Sequence, residues 1–570
     1  MREGAHEAAC DGLGPGSASA GWRRSRRGHG CVRFQQRGWT MIPMVTVGQM
    51  RAIDEEAIGG NVSVGYSYML KAGTALFGVV REMVPDRNAG DIAIICGKGN
   101  NGGDGYVVGR LLVDAGYGVM CFGLCDREGL RGEARKAFDE YTASKGSFAV
   151  LEDVEDLAGE ATFALIIDAV LGTGIRGDPR GPAADILRSI NSRHSKILAV
   201  DTPSGLNNDT GAVGNPCVRA EVTVTMGFPK LGSCFYPGKS HVGRLVIKDL
   251  GYPDEIVEKH HDCVYFPTPD SLRPLLPRRR QDGSKIEHGL AFMLCGSRGM
   301  TGSAALAATS ALRTGCGMVF LAAPRSAIPV LASKLTETVL HEVDETAAGA
   351  AALSAADSIL ELARSRDALC IGPGLSHGEE TMKLVRKLLP LFDKPILLDG
   401  DGINAFKGRV EELKNRNGPL ILTPHRGEWK RVFGELPDEP ASLLDHLRNK
   451  AHEYGAVIVL KGNPTLVANP AGTSWVLPFG NSALATAGTG DVLSGMITSL
   501  LAQGCSPSDA AVLGVYLHQC AGVTAGDRHT PYATIAGDVV SHISSAIGSL
   551  MSGARVTERK GSTAWIHKSI

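Results

Sequence analysis

Short apolar runs that end in a glycine- or aspartate-rich turn and then pass into a helical stretch recur along this 570-residue chain. That alternation limits its fold more than any other feature. Strand, helix and strand in succession imply a parallel sheet covered by helices. Between about residues 91 and 250 the strand candidates are Ile92–Cys96, Val119–Phe122, Phe163–Asp168, Ile197–Asp201, Glu221–Met226 and Arg244–Ile247. The prolines and arginines of Pro267–Arg280 interrupt the pattern. A second alternation then supplies Leu290–Cys295, Met318–Ala322, Ala368–Ile371, Ile396–Asp399, Leu420–Leu422, Val457–Leu460 and Trp475–Leu477. The chain is too long for one core, so two α/β domains with two sheets are expected, each in three layers.

Charge excludes some functions. With 59 basic and 60 acidic residues, no global field points to nucleic acid or an anionic membrane. No run of 18 apolar residues is present to span a bilayer. The cysteines lie mostly in apolar strand-like runs, such as Cys96, Cys295 and Cys370, and read as reduced core residues of a cytoplasmic protein. Residues 1–40 carry seven arginines and no apolar periodicity, so a disordered extension is expected there. An upstream start codon is favoured over a transit peptide. Residues 553–570 read as a polar tail.

Two glycine-rich regions carry the chemistry. In the first, Ile92–Cys96 feeds Gly97-Lys98-Gly99-Asn100-Asn101-Gly102-Gly103-Asp104-Gly105 and then a helix. Such a strand-to-helix turn suits a phosphate-bearing ligand, because helix N-termini offer unpaired N–H groups. Asp168, followed by Gly172-Thr173-Gly174, and Asp201, followed by Thr202-Pro203-Ser204-Gly205, close two further strand candidates. Carboxylates at neighbouring strand ends converge on one crevice, where a cation would offset their repulsion.

The set Gly99–Gly105, Asp168–Gly174 and Val200–Gly211, with Lys230 and Pro237-Gly238, resembles the NAD(P)H-hydrate epimerase domain over about residues 45–255. The resemblance implies a Rossmann-like doubly wound sheet. It also implies that Asn100, Asn101, Gly102, Gly103, Asp104 and Gly172, Thr173, Gly174, Ile175, Arg176, Gly177, Asp178 hold the hydrated nicotinamide nucleotide. Asn101, Asp168 and Ser204 would ligate K+, and Asp201 would be the acid/base at the hydrated ring carbon. One departure is Tyr68-Met69-Leu70-Lys71-Ala72-Gly73, which lacks the acidic residue of the family's pattern.

The second region is Asn481–Asp491, running into Val492-Leu493-Ser494-Gly495-Met496. Apolar Val492, Leu493, Met496, Ile497, Leu500 and Leu501 mark one buried helical face, with Asp491 at the exposed N-terminus. Gly488 and Gly490 let a phosphate approach the backbone; the plainer reading is that Thr489 and Asp491 merely cap the helix. Companion turns follow other strand candidates: Gly372-Pro373-Gly374, Asp399-Gly400-Asp401, Thr423-Pro424-His425-Arg426-Gly427-Glu428 and Lys461-Gly462. Together they describe a nucleotide-sized crevice.

With Met300-Thr301-Gly302, this set resembles the ADP- or ATP-dependent NAD(P)H-hydrate dehydratases of the ribokinase-like superfamily over about residues 275–548. By that resemblance Lys461, Gly462, Asn463, Pro464, Thr465 and Gly490 contact the adenine nucleotide, and Ser303, Gly374, His425 and Asp491 hold the hydrated dinucleotide. Asp491 would be the catalytic base and Gly488, Thr489 and Gly490 an anion hole, with Mg2+ on the phosphates. Departures are Ser284-Lys285-Ile286, Asn481-Ser482-Ala483 and Ser303.

The expectation is therefore an N-terminal epimerase, 41–265, fused to a C-terminal dehydratase, 266–552. It would repair NADHX and NADPHX with ADP as phosphoryl donor, ATP being the other candidate, in a cytoplasmic homo-oligomer without nucleic-acid or membrane partners. The competing reading is a ribokinase-like ATP-dependent small-molecule kinase with a non-catalytic N-terminal binding or scaffolding domain.

Overall fold

In a computed structural model of the protein, residues 41–151 and 163–553 are described. The expected disordered extension 1–40 and all but the first residue of the polar tail lie outside the described residues.

Seven strands form one wholly parallel sheet in the order Ser147–Val150, Val119–Gly123, Ile92–Cys96, Leu165–Ala169, Lys196–Val200, Val222–Met226 and Arg244–Lys248. The central strands are buried throughout, which explains why they read as continuous apolar runs rather than alternating ones. Strand order reverses between Ile92–Cys96 and Leu165–Ala169. That switch point opens a crevice at the carboxyl ends of the strands.

Eleven strands form the second sheet, in the order Ile42–Pro43, Val264–Phe266, Ser474–Leu477, Thr465–Ala468, Val457–Leu460, Leu420–Leu422, Ile396–Leu398, Ala368–Ile371, Leu290–Leu294, Met318–Pro324 and Val339–Val343. From Val457–Leu460 to Val339–Val343 all pairings are parallel, whereas Thr465–Ala468 runs antiparallel to both its neighbours. Ile42–Pro43 pairs antiparallel with Val264–Phe266, which runs parallel to Ser474–Leu477.

The sequence pattern missed five strands. Ile42–Pro43 and Val264–Phe266 are too short to show a period. Ser147–Val150 and Val339–Val343 are only partly buried edge strands, and Thr465–Ala468 begins inside the expected nucleotide loop. Helix Thr489–Ala502 also differs from expectation: from Val492 to Ala502 it is buried on every side, packed against Thr301–Thr314 and Pro507–His529. Ten of the described cysteines are free, most of them buried. Among the described residues, no helix is long and apolar enough to cross a membrane.

The two sheets share a core. Leu206, Leu231, Phe235, Val242 and Leu245 lie in the same apolar cluster as Phe292, Leu369, Trp429, Leu443 and Val476. Burying a side chain of this size contributes about 1.5–3 kcal/mol, and contacts of this density transmit strain rather than absorb it. Leu231→Ala should lower stability by about 3 kcal/mol. Hydrogen exchange should then quicken in Ser474–Leu477 as well as in Arg244–Lys248; acceleration in the first sheet alone would contradict a common core.

Candidate active sites

The loops after Cys96, Ala169, Val200 and Met226 enclose a cavity of about 650 Å3 at the switch point of the first sheet. Of the predicted residues, Asn100, Asn101, Asp104, Gly172, Thr173, Gly174 and Asp201 line it. Gly102 and Gly103 are buried in the first turn of helix Asn100–Asp114 instead. A Cβ on Gly102 would lie 1.9 Å from the Gly97 carbonyl oxygen, so glycine is needed there for close backbone approach. Ile175, Arg176, Gly177 and Asp178 are not among the lining residues; Asp178 accepts a hydrogen bond from the Asn215 N–H at 2.9 Å. Helix Asn100–Asp114 has no side-chain cap, so its first N–H groups are open to an anion.

Asp201 follows its strand in a left-handed conformation, φ 61°. Its Oδ1 accepts hydrogen bonds from Lys230 Nζ at 2.5 Å, Met226 N at 3.0 Å and Thr225 Oγ1 at 3.1 Å. Lys230 is almost fully buried and also reaches the Met226 carbonyl, at 3.2 Å. Sequence reasoning gave Lys230 no role and missed Asp54, Tyr68 and Tyr252, which line the same cavity. The Tyr252 hydroxyl donates to Asp54 at 2.5 Å, and its ring stacks on Tyr68 at 4.8 Å. Burial pushes the Asp54 carboxyl up, and pushes that of Asp104 well above the usual range, reinforced by Asp201 and Asp54. Asp54, Tyr68 and Tyr252 come from two helices and a loop far apart in the sequence, and only Tyr68 borders a recognised pattern, so only the folded chain brings them together. The altered Leu70 packs against the apolar core rather than lining the cavity, and Lys71 anchors the Leu250 carbonyl at 2.7 Å.

Asp168 is fully buried within its strand rather than at its end. Its carboxylate accepts from Ser204 Oγ at 2.6 Å, Ser204 N at 2.8 Å and Val170 N at 3.2 Å. Burial raises its pKa to about 6, opposed by those hydrogen bonds. Asn101 has a buried amide nitrogen without a partner. Hard oxygens of Asn, Asp and Ser suit an alkali or alkaline-earth cation, so the residues present fit the expected K+.

In the second sheet one carboxylate organises the crevice. Asp399, almost fully buried, receives Lys461 Nζ at 2.6 Å and Thr423 Oγ1 at 2.9 Å on one oxygen and Ser494 Oγ at 2.8 Å on the other. It thereby ties three strand-end turns to helix Thr489–Ala502. Lys461 also lies 3.7 Å from Glu428, and a Cβ on Gly490 would be 3.3 Å from its Nζ. The sequence showed Asp399 in a turn but not this hub.

Asp491 is half-buried, not exposed as expected, because neighbouring turns cover the helix start. Desolvation, then repulsion from Asp399, raises its pKa to about 6, while a hydrogen bond with Ser303 and the Lys461 charge pull it back. Gly488, φ 90°, is the N-cap, and no side chain caps the helix. Thr489 Oγ1 bonds instead to the Leu484 and Thr486 carbonyls, at 2.9 and 3.0 Å. The capping reading of Thr489 and Asp491 therefore fails, and the first N–H groups stay open.

His425 is the N-cap of a helix. Its Nδ1 accepts from Gly427 N at 3.0 Å and Glu428 N at 3.2 Å, capping helix Arg426–Phe433, while half the side chain stays exposed. Gly374, φ 67°, sits against Ser303: a Cβ there would lie 3.0 Å from that of Ser303. Lys461, Gly462, Asn463, Pro464 and Thr465 form the link from Val457–Leu460 to Thr465–Ala468, fixed by Thr465 Oγ1 to the Gly462 carbonyl at 2.8 Å and Gln519 Nε2 to Thr465 Oγ1 at 3.2 Å. Among the described residues, no group of three His, Cys, Asp or Glu is arranged to hold a metal by itself.

Residues 291–545 match the family described as NAD(P)H-hydrate dehydratase, and residues 65–232 that described as YjeF-related protein N-terminus. The chain is 41% identical over 458 residues to the bifunctional NAD(P)H-hydrate repair enzyme Nnr of Moorella thermoacetica, covering 79% of this chain and 86% of that one. The Salinibacter ruber enzyme of the same name is 34% identical, with 88% and 95% covered. A crystal structure of the Bacillus subtilis ADP/ATP-dependent NAD(P)H-hydrate dehydratase, co-crystallised with ATP and Mg2+, aligns at 32% identity and TM-score 0.43, covering 50% of this chain and 98% of that one.

Replacing Asp399 by Asn removes the charge that Lys461 is buried against. Stability should fall by about 3 kcal/mol, the cost of breaking a buried ion pair. Chemical denaturation would measure it, and an unchanged midpoint would remove Asp399 as the organising group.

Proposed function

Because the chain belongs to the family of bifunctional NAD(P)H-hydrate repair enzymes, we propose that its two crevices act in turn on one substrate, the hydrated nicotinamide ring of NADHX or NADPHX. The first, within 41–265, epimerizes the hydroxylated ring carbon. The second, within 266–552, dehydrates the S epimer with ADP, giving NAD(P)H, AMP and phosphate. The observation that carries this reading is the convergence, on one uncapped helix start, of Asp491, the Gly488–Gly490 backbone and Lys461.

In the first cavity the nucleotide phosphates meet the open N–H groups of helix Asn100–Asp114. The ring reaches Asp201 and Lys230, whose contact lets a proton be handed to the departing hydroxyl oxygen. Water leaves, the ring nitrogen's lone pair closes an iminium, and water returns to either face with loss of that proton. Asn101, Asp168 and Ser204 would hold K+, which supplies positive charge when bound.

In the second crevice Asp491 takes the proton of the ring hydroxyl as its oxygen attacks the donor's terminal phosphorus. The Gly488, Thr489 and Gly490 N–H groups and Lys461 face the charge on the transferring phosphoryl group. Mg2+ would be held chiefly by the donor's phosphates, whose charge it would balance. The phosphorylated oxygen then leaves as phosphate, expelled by the ring nitrogen, and a ring proton is lost to restore the dihydronicotinamide. Ser303, Gly374 and His425 border the substrate, and Gly462–Thr465 the nucleotide. The cytoplasmic location rests on the free, mostly buried cysteines, and homo-oligomeric assembly on the family resemblance.

Each purified epimer, incubated with ADP or ATP, should be consumed, with AMP formed from ADP; stable NADHX under every condition refutes the proposal. Asp491→Asn should cost dehydration about a thousandfold and spare epimerization, and Asp201→Asn should do the reverse. Asp491 must be ionised to accept a proton, and its raised pKa is about 6. Dehydration kcat should therefore fall as pH drops through about 6 and level off above it; a profile flat down to pH about 4, the ordinary carboxylate range, would exclude Asp491 as base.

A further inference from the structure

Lys239 belongs to the first half of the chain, yet its ammonium is spent on the second. It is almost fully buried, and its Nζ donates to Asn463 Oδ1 at 2.8 Å and to the Pro478 carbonyl. Asn463 in turn donates through Nδ2 to the Gly480 carbonyl at 2.9 Å. One buried cation from the first half thus ties the loop Lys461–Thr465 to the chain leaving Ser474–Leu477, at the end of the hairpin where Thr465 pairs with Leu477.

The base of this strut is rigid. Gly238 N donates to the Gly211 carbonyl at 2.7 Å and Lys239 N to the Phe235 carbonyl at 2.8 Å. A Cβ on Gly238 would lie 2.6 Å from Leu206 Cδ1 and 2.7 Å from the Gly232 carbonyl oxygen, so the turn is packed tightly on the segment that follows Asp201. The side chain also runs beside the Tyr236 ring, 5.4 Å from its centre. An ammonium is costly to bury unless its hydrogen bonds are met. A flexible lysine held this way therefore fixes the positions of the oxygens it binds.

We infer that Lys239 is a positioning residue for the second reaction: held by the first half, it sets the geometry of the Lys461–Thr465 loop and thereby the affinity of the dehydratase site for its nucleotide. The inference rests on reading that loop as the nucleotide-binding one. It assigns to the first half a contribution to dehydration separate from supplying the correct epimer. Lys461 leaves the same loop but is held separately on Asp399 at 2.6 Å, so the ammonium that faces the phosphates keeps its place when the rest of the loop shifts.

Steady-state kinetics of the full-length chain with ADP test it. Lys239→Met should raise the KM for ADP about tenfold, the scale of one charge-assisted hydrogen bond. The kcat at saturating ADP and the epimerization rate should stay within about twofold, a difference smaller than a single such bond. Lys239→Arg, which keeps charge and donors, should recover most of the affinity. Asn463→Ala should raise the KM similarly, and combining it with Lys239→Met should add little. An unchanged KM in Lys239→Met, or a fall in kcat alone, overturns the inference. Should Lys239→Met fail to fold, Lys239→Gln carries the same test: it is shorter and removes the ammonium, so the KM for ADP should still rise, and an unaltered KM counts against the role. Hydrogen exchange with and without ADP separates the two readings. Protection of residues 461–465 by ADP together with an unchanged KM leaves the nucleotide loop standing and removes only Lys239. Absence of protection removes both.

Discussion

The second active site hangs on one buried carboxylate. Asp399 accepts from Thr423, Lys461 and Ser494, groups from three different segments. Without it the ends of neighbouring parallel strands would share a sheet but not a common focus. A charge desolvated this far is tolerated only because donors surround it. It also lifts the pKa of Asp491, although desolvation is the larger cause. The group that assembles the site thus also adjusts the proposed base, Asp491. Asp399 does both from beneath the surface, with its own oxygens occupied.

The two crevices solve similar problems with different charges. Both sit at carboxyl ends of parallel strands, and both offer a helix start that no side chain caps. In the first, Lys230 lies directly against the proposed acid/base, Asp201, while Asp104 and Asp54 are pushed toward their neutral forms. In the second, the lysine is held on Asp399, apart from the proposed base, Asp491. Water exchange at a ring carbon needs a proton carried both ways; phosphoryl transfer needs one taken and much negative charge balanced.

Much of this was legible in the sequence because parallel strands are buried on both faces and end in turns. Ile92–Cys96, Ala368–Ile371, Leu420–Leu422 and Val457–Leu460 were read to the residue. Turn chemistry located Asn100–Asp104, Gly172–Gly174, Asp201 and Gly488–Asp491. What escaped was tertiary. Asp54 and Tyr252 meet across some 200 residues (|i−j| 198) with no motif around either, and Lys239 meets Asn463 across a separation of 224. Spacing could not say whether Thr489 capped its helix or bonded backward to Leu484; His425, in a similar setting, does cap. Only hydrogen-bond geometry separates a polar residue that closes a helix start from one that leaves it open.

The short strands Ile42–Pro43 and Val264–Phe266 make the chain's organisation less sequential than its two activities. The path joins the second sheet, leaves it to build the whole first sheet, and rejoins it beside its own starting point. In topological terms the first unit is an insertion within the second, with both ends of the insertion paired to each other. A cut placed after Phe266 would not divide the protein between domains. It would strip the covering strands from Ser474–Leu477 and leave an unpaired, buried-type edge facing water, the kind of surface on which chains recruit one another into aggregates.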